Sequence, residues 1–195
     1  VNEGRSIVMY RRQGVCQWWS PFTDYPIELS NGWKLPVVIS PTCATIYTSG
    51  ECGGRWLREG TVASPKGAVG YSGTTHTAVG SGLAARRSAM AEGTIVELFA
   101  SGIFGRAVEE GRQEVYKRYG LELDYNAYNC LGDPELLVWT GVPRMIDVVH
   151  PSVIPQGPYD IEVTVSFEGQ PISNALVCVT NGDDVYSYGR TDTLG

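Results

Sequence analysis

Short, unbroken apolar runs set between helical stretches constrain this chain more than any other feature. Residues 6–10 (SIVMY), 35–40 (LPVVIS) and 66–71 (KGAVGY) are too short for helices and carry apolar residues at consecutive positions. Runs of that kind read as strands buried on both faces. Residues 53–59 (GGRWLRE) read as a short helix. Two longer helices are predicted. One covers 83–100, with apolar positions at Leu83, Met90, Val96, Leu98 and Phe99. The other covers 103–119, with Phe104, Val108, Val115, Tyr116 and Tyr119, and Gly120 as its C-cap. A further buried strand is expected over 136–139 (LLVW), after the turn Gly132-Asp133-Pro134. Strands alternating with helices predict an α/β fold with a mostly parallel sheet covered by helices on both faces. Chemistry in such sheets gathers beyond the carboxyl ends of the strands. The polar segments after Tyr10, Ser40 and Tyr71 should therefore share one edge, bringing Gln13, Cys43 and His76 towards one another.

Near Pro143 the pattern changes. Residues 160–167 (DIEVTVSF) alternate polar and apolar over eight positions, and 175–180 (ALVCVT) and 185–188 follow with turn residues between them. Period-two alternation without a helical stretch predicts an all-β, sandwich-like module. It begins near Met145 and lacks its last strands. The predicted organisation is an α/β part over 1–142 and a truncated β-sandwich over 143–195.

Composition narrows the function. With 195 residues, 43% of them hydrophobic, the chain can build one good-sized core, or one medium and one small. Its net charge of −6 argues against a nucleic-acid partner, which calls for a basic patch. No apolar run approaches the roughly 18 residues that span a bilayer. The chain starts at Val1 and stops at Gly195 in a turn-like sequence, so both ends read as cut and any targeting segment is expected outside it. Cys16, Cys43, Cys52, Cys130 and Cys178 form no CxxC pair, so neither a zinc site nor a disulfide framework is indicated. Asp24, Glu28, Glu51 and Asp133 form no dense run of oxygen ligands, and Asn181-Gly182-Asp183-Asp184 reads as a hairpin turn. No metal or cofactor is expected. For most of Trp18, Trp19, Trp33, Trp56 and Trp139 core packing is the simpler reading, although Trp18 and Trp19 could cap a cleft.

Three segments carry a resemblance. Tyr10-Arg11-Arg12-Gln13-Gly14 follows the first strand, residues 36–43 (PVVISPTC) end a strand in Cys43, and residues 129–138 (NCLGDPELLV) contain a Gly-Asp-Pro-X-Leu pattern. In this order and spacing they resemble the gingipain family of cysteine peptidases, which have the caspase–hemoglobinase fold. The resemblance covers nearly the whole chain, as the C-terminal part of a catalytic domain followed by the start of an immunoglobulin-like domain. It implies that Cys43 stands at the nucleophile position, that the substrate is a polypeptide, and that the protein is extracellular or on a bacterial cell surface. Cys178, in a strand of the trailing module, is read as packing.

The family has His where this chain has Gln13. Histidine favours the thiolate and then protonates the leaving amine. Glutamine exchanges hydrogen bonds but shuttles no proton, and losing proton transfer typically costs about 10²–10⁴-fold. Gly14 keeps a backbone N–H for an oxyanion. His76, after the third strand, is a candidate substitute base, against the plainer role of lining a pocket or facing water. The segment 72–80 (SGTTHTAVG) offers no carboxylate for a basic substrate side chain. Three functions compete: a cysteine endopeptidase weakened or silenced at Gln13, a non-catalytic binding relative, and a structural module in which Cys43 is incidental.

Overall fold

The computed structural model describes residues 1–11, 14–15, 18–19, 29–46, 51–77, 82–155, 157–181 and 185–195, with 14–15, 18–19, 51 and 185–186 described by their backbone alone. The chain divides into two compact units, Val1–Gly141 and Val142–Gly195.

The first unit opens with β1 (Ile7–Met9), followed by the antiparallel pair β2 (Gly14–Val15) and β3 (Trp18–Trp19), then β4 (Val37–Ile39), α1 (Glu51–Arg58) and β5 (Gly70–Thr74). Helices α2 (Leu83–Ser101), α3 (Phe104–Tyr119) and α4 (Glu122–Ala127) precede β6 (Tyr128–Gly132). The main sheet has the order β1-β4-β5-β6. β4 pairs in parallel with both β1 and β5, Val38 lying opposite Val8 and Tyr71, while β6 runs antiparallel to β5. β4 is β-branched throughout and essentially without exposure. Its alternate side chains point to opposite faces. Val37 and Ile39 join Met90, Leu98, Phe104, Val108 and Val115 of α2 and α3. Val38 joins Tyr71 and, through α1, Cys52 and Trp56. The α/β expectation holds, with helices packed on both faces.

Three local expectations need correction. The third strand occupies 70–74 rather than 66–71, because Lys66 and Gly67 belong to a loop held by buried Asn31. The Asn31 side-chain amide donates to the carbonyls of Lys34 and Gly67 and accepts from the Gly67 N–H. Residues 136–139 form only an isolated bridge, Ile103 to Leu137, and Leu137 and Trp139 are exposed. The fourth sheet position is taken instead by Tyr128–Gly132, whose mixed polarity hides a strand. Val96 and Phe99 of α2 face solvent rather than the core.

The α2–α3 contact is built on backbone proximity. A side chain at Gly93 would lie 3.0 Å from the Gly111 Cα, and one at Gly111 would lie 2.7 Å from the Met90 carbonyl oxygen. Two glycines thus let the helices touch main chain to main chain, which offsets their low helix propensity.

The second unit contains a three-stranded antiparallel sheet of β7 (Asp147–Val149), β8 (Thr164–Phe167) and β9 (Gln170–Pro171), and an antiparallel pair, β10 (Leu176–Asn181) with β11 (Val185–Arg190). It is all-β. Asn181 pairs with Val185, as a hairpin requires, while residues 182–184 of the turn lie outside the described residues.

Gly111→Ala gains up to about 1 kcal/mol of helix propensity but must push α2 away or displace Thr94, and overpacking of this kind costs about 1–3 kcal/mol. Urea denaturation followed by helical circular dichroism is expected to show a net loss of stability. Gly120→Ala, at a left-handed helix cap (φ 63°) with open space around it, is expected to show only the backbone cost of about 1 kcal/mol.

Candidate active site

The rim beyond the carboxyl ends of β1, β4 and β5 is organised by hydrogen bonds that continue past the strands. Tyr10 N–H donates to the Ile39 carbonyl at 2.9 Å, and Ser40 N–H to the Ser72 carbonyl at 2.7 Å. The chain then leaves the sheet through Pro41 and Thr42, turns at Cys43, and returns. Ala44 N–H donates to the His76 carbonyl at 3.0 Å and Ile46 N–H to the Thr74 carbonyl at 2.9 Å. Ala44 adopts φ 49°, a left-handed conformation unusual for a residue with a side chain. Backbone strain of this sort costs of order 1 kcal/mol or more and persists only where the surroundings over-determine it. Here they do. Thr74 Oγ1 donates to the Thr42 carbonyl at 2.6 Å, Thr42 Oγ1 to the Tyr10 carbonyl at 3.3 Å, and Thr45 Oγ1 to the Thr42 carbonyl at 3.4 Å. All three threonines are buried.

Cys43 therefore sits at the apex of a braced turn, on the expected edge, with the His76 backbone beside it. It is not an open thiol as expected, since only 7% of the residue is exposed. Arg87, from the second turn of α2, donates through Nη2 to the Cys43 sulfur. His76 is half-buried, and its Nε2 is buried with no hydrogen-bond partner among the described residues. Gly14 begins β2, paired opposite Trp19. Gln13 lies outside the described residues.

Around this turn stands a charged group that the sequence did not announce. Arg86 makes a buried ion pair with Asp124 at 2.9 Å, tying α2 to α4. Tyr128, at the start of β6, is held protonated well above its usual range. Burial is the main cause and the negative charge of Asp124 adds to it, while Arg87 pulls the other way. Arg11 reaches across from the end of β1, its Nη2 donating to the Ala84 carbonyl in the first turn of α2 at 3.0 Å. The clue available in the sequence was the Arg86-Arg87 pair near the predicted start of a helix, where the macrodipole disfavours cations.

The family model for peptidase family C25 matches residues 1–139. The chain belongs to peptidase family C25, the gingipain family. No curated protein sequence matches it. Among solved structures, the Arg-specific cysteine proteinase gingipain R is similar with a TM-score of 0.73 and 19% identity, over 99% of this chain and 46% of that one. The complex of Porphyromonas gingivalis RgpB pro- and mature domains gives 0.71 and 19%, over 99% and 47%. A structure described as a protease gives 0.64 and 16%, over 97% and 54%. These likenesses show the fold, and this C25 chain spans about half the length of the structures it matches. Among the described residues no three His, Cys, Asp or Glu side chains gather to hold a metal, and no helix is long and apolar enough to cross a membrane.

The other described cysteines, Cys52, Cys130 and Cys178, are not in disulfides. Cys52 is buried against the Tyr71 hydroxyl at 3.5 Å. Cys178 is exposed, contrary to the expectation of packing, because its strand presents that face to solvent. Burial, with help from Asp133, pushes the Cys130 thiol up to about 11.

Two outcomes follow from this geometry. Asp124→Asn leaves the Arg86 guanidinium buried without its counter-charge and is expected to cost about 3–5 kcal/mol in urea denaturation. Cys130 stays protonated until pH approaches about 11. Iodoacetamide at pH 8, read by peptide mass spectrometry, should therefore label Cys178 well before Cys130, and Cys130 labelling should rise with pH up to that value.

Proposed function

We propose that this chain is the C-terminal portion of a gingipain-type catalytic domain acting on polypeptides. Cys43 is the nucleophile, and peptide hydrolysis is weak or absent because Gln13 stands where the family has its base. One observation carries the placement: the chain turns at Cys43 on the carboxyl rim of a parallel strand pair, and hydrogen bonds to Ser72 and His76 brace both sides of the turn. Hydrolysis needs a carbonyl carbon within about 3–3.5 Å of the sulfur. The low exposure of Cys43 and the Arg87 contact both oppose that approach. They favour the second reading, a non-catalytic relative that keeps the rim for binding. On the enzymatic reading Gly14 supplies an oxyanion N–H and His76 is the candidate substitute base; on either reading the trailing β-unit is the start of an immunoglobulin-like domain. The protein is extracellular or on the cell surface.

The test is restoration of the base. In the full-length protein, Gln13→His is expected to raise cleavage of a peptide library by about 10²–10⁴-fold, and Cys43→Ala should remove the gain. If the wild-type protein cleaves with kcat/KM above about 10⁴ M⁻¹s⁻¹ and loses this on Cys43→Ala, the weakened-enzyme reading is wrong. Loss on His76→Ala as well would assign His76 the base role. Should Gln13→His cleave nothing while folding normally, the binding reading replaces the enzymatic one.

A further inference from the structure

The chain carries a net charge of −6, yet the cationic side chains Arg11 and Arg87 converge on the Cys43 rim. Arg11 is fastened to the Ala84 carbonyl and Arg87 to the Cys43 sulfur. Ala84 and Arg87 are three residues apart in one helix, so they lie on the same face, about one turn from each other. The two guanidiniums therefore enter from different elements, the end of β1 and the start of α2, one held on the first turn of α2 and the other on the Cys43 sulfur.

Their setting strengthens the case. α2 has 19 residues, its N-cap makes no side-chain cap hydrogen bond, and its first turn holds no acidic residue. Its positive dipole end thus adds to the field of the arginines rather than offsetting it. Arg86, the neighbouring cation, is answered by Asp124 at 2.9 Å. Arg87 reaches the Cys43 sulfur on the rim. His76 adds a buried Nε2 with no partner among the described residues, and Tyr128 adds a protonated phenol. Planar guanidinium forks match carboxylate geometry better than any other side chain does. A rim with this inventory stabilises negative charge and repels a basic side chain.

We propose that Arg11 and Arg87 form a carboxylate-binding subsite next to Cys43, so that the peptide segment seated there carries an acidic group. This rests on the reading of the Cys43 rim as a peptide site, and it deepens that reading by naming the chemistry of the ligand. Two sources share that chemistry, an Asp or Glu side chain and a free C-terminal carboxylate. In either case the carboxylate accepts hydrogen bonds from both guanidiniums, and Arg87 shifts from the sulfur to the ligand. The subsite gives Arg87 a function beyond covering the thiol.

A chemical probe reads the subsite without any need for hydrolysis. Iodoacetate and iodoacetamide alkylate the same sulfur with loss of iodide and differ in whether they carry a carboxylate. In the full-length native protein, the iodoacetate-to-iodoacetamide rate ratio at Cys43 should exceed the ratio at exposed Cys178 by about fivefold or more, the scale of one partly exposed ion pair. Arg87→Gln and Arg11→Gln should each lower it, and Arg87→Lys should keep part of it. Circular dichroism checks that each variant folds. Equal ratios at Cys43 and Cys178 would overturn the proposal. So would a Cys43 that neither reagent reaches in the native state, or a ratio unmoved by Arg87→Gln.

Binding of blocked hexapeptides to Cys43→Ala protein then separates the two carboxylate sources. Retention of an internal Asp or Glu peptide with an amidated end assigns the side chain, and retention only of free-acid peptides assigns the C-terminus. Exclusive binding of Lys or Arg peptides sinks the subsite. A protein that hydrolyses nothing yet shows the alkylation preference keeps the subsite and loses the peptidase reading. Cleavage without the preference does the reverse.

Discussion

The turn at Cys43 depends on a strained residue held from both sides. Ala44 has a left-handed backbone, and hydrogen bonds from its N–H to the His76 carbonyl and from the Ile46 N–H to the Thr74 carbonyl return the chain to the sheet just after it has left. Without that return the segment after Ser40 would run off β4 as an ordinary loop, and the sulfur would have no defined direction. The threonine hydroxyls of residues 42, 45 and 74 satisfy the carbonyls and N–H groups that the departure exposes. A buried polar group left unpaired costs about 1–3 kcal/mol, roughly twice what a made hydrogen bond gains. The network therefore permits only this path, and the position of the candidate nucleophile follows from it.

Everything beneath the rim serves to keep β4 in place. A three-residue strand has little stability of its own, so it depends on parallel partners on both edges and side chains buried on both faces. Each fully buried Val or Ile contributes on the order of 1.5–3 kcal/mol. The glycine contact between α2 and α3 sets how α2 lies against α3, and α2 carries Arg86 and Arg87. A packing feature on one face of the sheet thus decides where two guanidiniums point at its edge. Family membership and fold agree here. At that rim an arginine, Arg87, lies on the Cys43 sulfur.

Much of the frame was legible because hydrophobic period reports burial directly. Residues 6–10 and 35–40 read as strands because consecutive apolar residues suit a two-sided interior, and both strands are there. Helices over 83–100 and 103–119 emerged almost to the residue, the second ending at Gly120 because only a glycine takes a left-handed cap without strain. Residues 136–139 failed for the opposite reason. Apolarity alone cannot tell a buried strand from an exposed stretch, and Leu137 and Trp139 face outward. The strand that was missed, Tyr128–Gly132, has no periodic pattern and owes its existence to the free edge of β5.

Sequence by itself determined the α/β alternation, the strand end that carries Cys43, the glutamine at position 13 and the change to a β-rich unit. Each of these is a local property, set by which residues follow one another. Tertiary structure alone decided that Cys43 is nearly covered, that Arg11 and Arg87 come to the same rim across 76 positions of chain, and that Arg86 pairs with Asp124 while Arg87 reaches the Cys43 sulfur. Charges separated that far along a chain meet only when a sheet and a helix pair have fixed their distances, so no pattern of neighbours could have announced them.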